Sequence, residues 1–262
     1  MQKNRDFLLT ALGTVAGFMF GLQAACAQEV STPSAYQFFV TPYLWLASVH
    51  ATTLTPLERR PEVNSNVSTV DLLSHLDGAP FMGSFEVRYG SLGFLADVIH
   101  LPVSTDVTNR DVFYQGGKAE LKANQGTGIA LWRVLEDPVQ FADAGLGFRA
   151  WGFSSSISLN PGLLPGASAN SSGSWTDPLI GARYHRDLGN GFGLTAYGDV
   201  GGFGVGAHTD WQVIGTVDYT LSQSWNLHVG YRSLNFNITG SEGRFGFDVH
   251  MRGPIIAGTF RF

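Results

Sequence analysis

The sequence predicts an all-β chain that folds as a transmembrane antiparallel up-and-down β-barrel of about ten strands, and three observations predict it. Charged residues make up only 14% of the chain, while there are 33 glycines and 13% aromatics, a balance unlike that of an ordinary soluble domain. After the first 27 residues no stretch is long and apolar enough for a spanning helix, so the apolarity is spread over alternate residues, as in barrel strands. The connections between the alternating segments are by turns tight and loose, as short periplasmic turns and longer extracellular loops are.

The amino-terminal stretch predicts the compartment. Lys3 and Arg5 form a basic region, Phe7 to Leu22 an apolar one, and Ala25-Cys26-Ala27 a small-residue cleavage site before Gln28. Residues 1–27 therefore read as a secretory signal peptide, with 28–262 as one barrel domain. Gly13, Thr14, Gly17 and Gly21 interrupt the apolar run, which disfavours the alternative of a retained transmembrane helix. Gln23 stands where a lipoprotein signal has an aliphatic residue, which disfavours a lipid on Cys26. Cleavage removes Lys3, Arg5 and Asp6, so 16 basic residues become 14 and 21 acidic ones become 20, a formal charge of −6. It also removes the only cysteine, so an exported chain of this kind holds together without disulfides. Mild acidity without a basic tract excludes nucleic acid as a partner.

The mature chain follows in order. Residues 36–54 read as a first strand with Val40, Pro42, Leu44 and Leu46 on one face; proline is tolerated near a strand end. Residues 55–80 read as a long first loop, with room for a hairpin and a short helix around Asp71 to Leu76. Phe81, Gly83, Phe85, Val87 and Tyr89 then oppose Met82, Ser84, Glu86 and Arg88. After Gly90-Ser91, Leu92, Phe94, Ala96 and Val98 oppose Leu95, Asp97 and Ile99. Residues 102–116 read as a polar connection, and 118–134 as a strand with Glu120, Lys122 and Asn124 on one face. Val139 to Leu159 sets Asp143, Gly145, Gly147 and Arg149 against Ala144, Leu146 and Phe148. Residues 160–173, rich in Pro, Gly, Ser and Asn, read as loop. Strands at 174–186 and 192–206 flank the tight Gly189-Asn190-Gly191 turn. Residues 208–220 and 225–237 are the next pair, and a loop at 239–243 leads to the closing strand. There Phe262, Phe260, Gly258 and Ile256 share a face, but Phe245, Phe247, Val249 and Met251 alternate one residue out of step. A bulge or bend at Gly253-Pro254 is the expected cause.

With tight connections near 90, 137, 190 and 222, and both ends on the same side, parity gives ten strands; eight or twelve remain open if Glu62 to Val70 also spans. A soluble β-sandwich alternates too, but its outer faces would be rich in Lys, Glu and Thr. Here the apolar face carries Tyr89, Tyr184, Trp211, Tyr219, Trp225 and Tyr231 where membrane-interface girdles would stand. The polar face points into the lumen on this reading. It carries Glu86, Arg88, Asp97, Glu120, Lys122, Asp143, Arg149, Asp177, Arg183, Asp199, Asp218, Arg232, Asp248 and Arg252, eight acids and six bases. Near balance predicts an ion-pair network, because isolated buried charge is costly; a selective pore would show rings of one sign.

The segments TPYLW (Thr41–Trp45), FEVRYGSLGFLAD (Phe85–Asp97), DPLIGARY (Asp177–Tyr184), GDVGGFGVG (Gly198–Gly206) and GYR (Gly230–Arg232) resemble a family of proteobacterial outer-membrane β-barrel proteins. The resemblance implies the cell outer membrane as location, outer-membrane lipid as surroundings, and the terminal Phe262 as the signal read by the barrel-assembly machinery. It implies no activity.

Chemistry-bearing motifs are sparse. The glycines at 201–206 are followed by a strand rather than the helix that a nucleotide loop requires. No HExxH, GxSxG or paired-cysteine pattern occurs, so no cofactor, metal or catalytic residue is indicated. The expected function is a structural barrel or a narrow, weakly selective channel for small solutes, not an enzyme. The alternative is a lipid hydrolase or acyltransferase using His100 or His185. His100 and Ser104 share a face but lie about 13 Å apart along the strand, too far to pair.

Overall fold

The computed structural model describes residues 36–54, 62–107, 114–239 and 246–262. The expected signal peptide, residues 1–27, lies outside them, as does Phe245. The strands are β1 (Gln37–Trp45), β2 (Ser48–Leu54), β3 (Glu62–Val67), β4 (Phe81–Tyr89), β5 (Leu92–Val107), β6 (Tyr114–Asp137), β7 (Gln140–Pro161), β8 (Ala167–Gly189), β9 (Phe192–Gly202), β10 (Thr209–Thr220), β11 (Trp225–Thr239) and β12 (Gly246–Arg261), with one short helix α1 (Thr69–Ser74).

Every neighbouring pair is antiparallel, and β12 returns to β1 and closes the ring. β12 pairs first with β2, Ser48 opposite Arg252, and then with β1, Trp45 opposite Ile255, at one constant register. β1 and β2 are thus a single barrel strand interrupted at Leu46-Ala47, and the Leu46 N–H still donates to the Pro254 carbonyl at 2.9 Å. β3 folds back on β2, α1 follows, and residues 75–77 rejoin the wall beside β5, where the Ser104 N–H donates to the His75 carbonyl at 2.8 Å. β3, α1 and β4 together occupy one strand position, so the barrel has ten strands. Ser68 caps α1: its hydroxyl accepts from the Asp71 N–H, and the Asp71 carboxylate accepts from the Ser68 N–H. The Gly189-Asn190-Gly191 turn holds three successive positive φ angles of 83°, 55° and 81°, which glycine and asparagine tolerate.

The upper connections are shorter than the composition suggests. β5 reaches Val107 and β6 begins at Tyr114, leaving only 108–113, outside the described residues, in place of a polar connection at 102–116. β7 and β8 run to Pro161 and from Ala167, so most of 160–173 is strand. Serine and asparagine do not break a ladder in which each backbone group finds its partner on the next strand; they mark faces that meet water. At about 3.3 Å per residue the 24 residues of β6 extend roughly 80 Å, whereas a spanning strand needs only about 9–11 residues. The wall β6–β7–β8 therefore stands far above any membrane zone.

One plane crosses the wall, and the polarity of both faces reverses there. Below it, on the side of the tight turns, the outer face is apolar: Leu44, Val98, Leu146, Ile180, Val229 and Ile256 are all exposed on it. Above it, the same outer faces carry Ser48, His50, His100, Asn124, Ser154, Ser174, Ser233 and Arg252. These positions are joined by register: Ser48 to Arg252 to Ser233 on one side, His100 to Asn124 to Gly152 to Ser174 on the other. The inner face does the opposite. Below, it is charged around one small apolar cluster of Ile129, Leu131, Leu179 and Leu95; above, it becomes apolar, where Trp45, Ala47, Ile99, Trp151, Leu234, Phe236 and Ile255 pack as a cluster inside the ring.

This reversal corrects two expectations. β11 and β12 pair without a register shift from Gly246 to Phe260, so no bulge exists at Gly253-Pro254. The pattern that seemed out of step is the strand crossing the plane: Val249 and Met251 face the inner apolar cluster, and Ile256 and Phe260 face outward below. For the same reason Glu120, Lys122, Asp248 and Arg252 point outward rather than into the lumen. All four lie above the plane, where the outside is water and the polar side of the strand turns to it.

Close approach fixes several inner glycines. A Cβ on Gly230 would lie 1.9 Å from the Gly215 carbonyl oxygen, whereas one on Gly126 would meet nothing within 4 Å. Gly230→Ala is expected to destabilise the folded barrel by about 1–3 kcal/mol, and Gly126→Ala to leave it unchanged. Urea titration of the heat-modifiable folded band in detergent measures both; equal midpoints would contradict the register at β10–β11.

Candidate functional site

The charged lumen is built because strands of this belt place one residue in two inside a ring with no edge, while lipid-compatible side chains take the other face. Charges so placed lose water and must find each other. They do so in tiers.

The middle tier spans the lumen. Arg149 on β7 is 0% exposed; its Nη1 donates to Asp210 Oδ1 at 2.5 Å, its Nη2 to Asp199 Oδ2 at 2.8 Å, and its Nε to Thr127 Oγ1 at 3.2 Å. Trp151 Nε1 donates to the second oxygen of Asp210 at 3.3 Å. Arg232 on β11, 1% exposed, donates to Gln212 Oε1 (2.8 Å), to the Tyr43 hydroxyl (2.8 Å), and to Asp97 Oδ1 and Gln125 Oε1 (3.3 Å each). Tyr43 in turn donates to Asp97 Oδ2 at 2.8 Å. The Arg232 guanidinium lies 4.7 Å from the ring centre of Trp45, so the apolar cluster rests directly on this tier. β1, β5, β6, β7, β9, β10 and β11 all contribute, which ties opposite walls together. Asp177 joins from β8, accepting from the Ala207 N–H at 2.6 Å and from Trp175 Nε1 at 2.8 Å.

A lower tier lies nearer the tight turns. Arg183 donates to both oxygens of Glu86 (2.6 and 2.8 Å) and to Asp143 (2.7 Å). Arg88 bridges the same two carboxylates, at 3.0 and 2.9 Å. Arg133 reaches the other oxygen of Asp143 at 2.6 Å and lies 4.0 Å over the Phe141 ring. Beside this tier Asp218 binds two histidines: His228 Nδ1 is 2.7 Å from its Oδ1 and His185 Nδ1 is 3.3 Å from its Oδ2.

The structure thus brings Glu86, Arg88, Asp97, Asp143, Arg149, Asp177, Arg183, Asp199, Asp218 and Arg232 together inside the ring. Sequence reasoning missed Arg133 and Asp210. Asp210 shares the parity of Gln212 and Asp218 on β10, and that signal was available. Arg133 was hidden because β6 changes its polar face between Asn124 and Gln125. Tyr89, Tyr184, Trp211, Tyr219, Trp225 and Tyr231 all lie exposed on the outer face. Tyr89, Tyr219 and Trp225 stand beside the tight turns, packed on Tyr36, Phe192 and Phe260 at 4.8–5.0 Å. Trp211 stands nine positions up its strand from Thr220, about 30 Å along it. Phe262 stacks on Phe38 at 5.5 Å. His100 lies on the outer face with Nδ1 2.6 Å from Asn124 Oδ1, engaged with β6 rather than with Ser104.

Above the plane the outer face of β6–β8 holds a groove of about 340 Å³ lined by Glu120, Lys122, Ser154, Ser156, Asn170 and Ser172 among others. Next to it the Lys118 ammonium, 2.9 Å from Asp77, holds that carboxyl below the usual range. Among the described residues no cluster of His, Cys, Asp and Glu has the arrangement of a metal site.

No protein family description matches the chain, and no curated protein matches it in sequence. Among solved structures, the outer-membrane protease OmpT from Escherichia coli superimposes with a TM-score of 0.56 at 11% identity, over 90% of this chain and 99% of that one. The translocator domain of the autotransporter NalP from Neisseria meningitidis aligns at 12% identity over 98% of both chains, with a TM-score of 0.37. The likeness to OmpT is one of fold, that of a closed antiparallel outer-membrane barrel.

Arg149→Ala leaves Asp199 and Asp210 without their cation in a dry interior and is expected to cost about 3–5 kcal/mol. Lys118→Ala, in an exposed pair, is expected to leave the unfolding midpoint where it was. Thermal unfolding in detergent, followed by the loss of β-sheet circular dichroism, makes the comparison; equal midpoints would mean that the middle tier is hydrated.

Proposed function

We propose that this chain is a closed, non-conducting barrel of the outer membrane, a structural element that holds the tall β6–β7–β8 wall above the lipid. One observation carries the reading: Arg149 meets acids two and three strands away, Arg232 an acid four strands away, and the two are 0% and 1% exposed. A solute path must keep its ions wet, because a passing ion exchanges water for wall groups one at a time. These guanidinium groups are instead held by carboxylates, amides, a threonine hydroxyl and a phenol, and Trp45 of the apolar cluster lies 4.7 Å over Arg232.

The outer membrane as location is supported by the apolar outer belt, by the exposed aromatics at its edges, and by the signal peptide expected at 1–27. Lipid would pack against the belt below the plane. Above it, the Ser- and Asn-bearing outer face suits the polar zone. Delivery through Phe262 by the barrel-assembly machinery fits the same picture. The reading as an outer-leaflet lipid hydrolase or acyltransferase is left with His100 alone of its two candidate bases, since His185 turns into the lumen, 2.9 Å from the Thr195 hydroxyl and 3.3 Å from Asp218.

Planar-bilayer recording of the purified protein tests the proposal. The wild type is expected to give no steady current over a wide voltage range, and Arg149→Ala combined with Arg232→Ala to give channel openings at reduced stability. A steady open level in the wild type would overturn it.

A further inference from the structure

Three neighbouring strands near the turn end of the barrel bring a hydroxyl, an imidazole and a carboxylate into line. Thr259 Oγ1 on β12 lies 2.9 Å from His228 Nε2 on β11, and His228 Nδ1 lies 2.7 Å from Asp218 Oδ1 on β10. The direction of each hydrogen bond follows from chemistry. A carboxylate only accepts, so His228 donates through Nδ1. In the neutral imidazole Nε2 is then an acceptor, and the Thr259 hydroxyl donates to it. Thr259 has one proton to give, so in its 2.8 Å contact with Thr41 it accepts from the Thr41 hydroxyl. Asp218 is itself fixed: Thr216 donates to Oδ1 at 2.7 Å and Thr195 to Oδ2 at 2.5 Å. His185, 2.9 Å from the Thr195 hydroxyl, supports the arrangement from β8.

A hydroxyl held against a base that is oriented by a third, ionised group is the arrangement of an activated nucleophile. The site also meets solvent from the turn side. The His228 side chain is 21% exposed, unlike the dry Arg149 above it. Asn226, opposite Thr259 in register, has a buried side-chain oxygen without a hydrogen-bond partner. With the amide turned end for end, the same position presents an N–H donor beside the nucleophile.

We propose that Thr259, His228 and Asp218 form an acyl-transfer site at the periplasmic mouth of the lumen, acting on small carboxylic esters that enter from that side. This inference goes beyond the closed-barrel reading and does not depend on it. Thr259 Oγ1 bonds to the ester carbonyl carbon as its proton passes to His228 Nε2. The ester C–O bond breaks and the departing alcohol takes that proton. Water, activated by the same nitrogen, then releases the acid and restores the Thr259 hydroxyl. Asn226 is the donor we assign to the carbonyl oxygen as it gains charge.

The folded protein in detergent is treated with a fluorophosphonate probe, which loses fluoride to a nucleophilic hydroxyl, and separately with p-nitrophenyl acetate. The expected result is probe mass on the peptide that contains Thr259, and ester hydrolysis above the background of detergent alone. Thr259→Val is nearly isosteric and should abolish labelling while the protein keeps its heat-modifiable folded band. Thr259→Ser should retain labelling. His228→Gln should lower the hydrolysis rate by roughly 10²–10⁴-fold. Absence of label on the wild type, or label and hydrolysis unchanged in folded Thr259→Val, would overturn the proposal and leave these residues as a hydrogen-bonded wall network.

Discussion

Arg149 is enclosed once the ring closes, and its position dictates much of what surrounds it. Asp199 and Asp210 lie on the second and third strands from it, so the guanidinium must reach across β8 and into the lumen. Its two partners then require neighbours of their own: Gln212 for Asp199, and Trp151 for the far oxygen of Asp210. Gln212 also accepts from Arg232, and Arg232 reaches Asp97 on the opposite wall. Removing one member leaves its partners as buried charges without their counterion, and a half-satisfied buried network costs more than an apolar core. The same bonds that neutralise these charges also cross the lumen at this height.

The plane of polarity reversal follows from the medium outside the wall. Where the outer face meets hydrocarbon, the inner face receives all the polar residues, and the ion-pair tiers form. Where it meets water, the outer face carries serine, asparagine and charge, and the ring interior buries Trp45, Trp151, Leu234, Phe236 and Ile255 like a small soluble core. The two interiors abut, with Arg232 4.7 Å from the Trp45 ring centre. The protein thus combines a lipid-facing barrel, charged within, and a water-facing barrel, apolar within, in continuous strands.

This division bears on function. On the closed-barrel proposal, the middle tier separates the two ends of the lumen chemically. The upper end offers aromatic surface inside and hydroxyl-rich surface outside. The turn end offers histidine, threonine and aspartate within reach of solvent.

Much of the fold was legible in the sequence. Strict alternation around Phe81–Val98, 139–149 and 225–232, together with the tight turns, determined the class and the inward side chains of the lipid-facing belt, because in that zone polarity has a single meaning; the count of ten was decided only by β3 sharing a strand position with β4. Two further things only the tertiary structure decided. The first was the height of the plane. Glu120, Lys122, Asp248 and Arg252 are as polar as Glu86 and Arg88, and a strand's alternation does not record whether its outside is lipid or water; that depends on how far each strand rises beside its neighbours. The second was partnership. Arg149 with Asp210 and Arg232 with Asp97 meet across the ring, at separations of 61 and 135 residues, and Thr259, His228 and Asp218 meet through register across three strands. Periodicity says which way a side chain points, but only closure of the ring says what it meets.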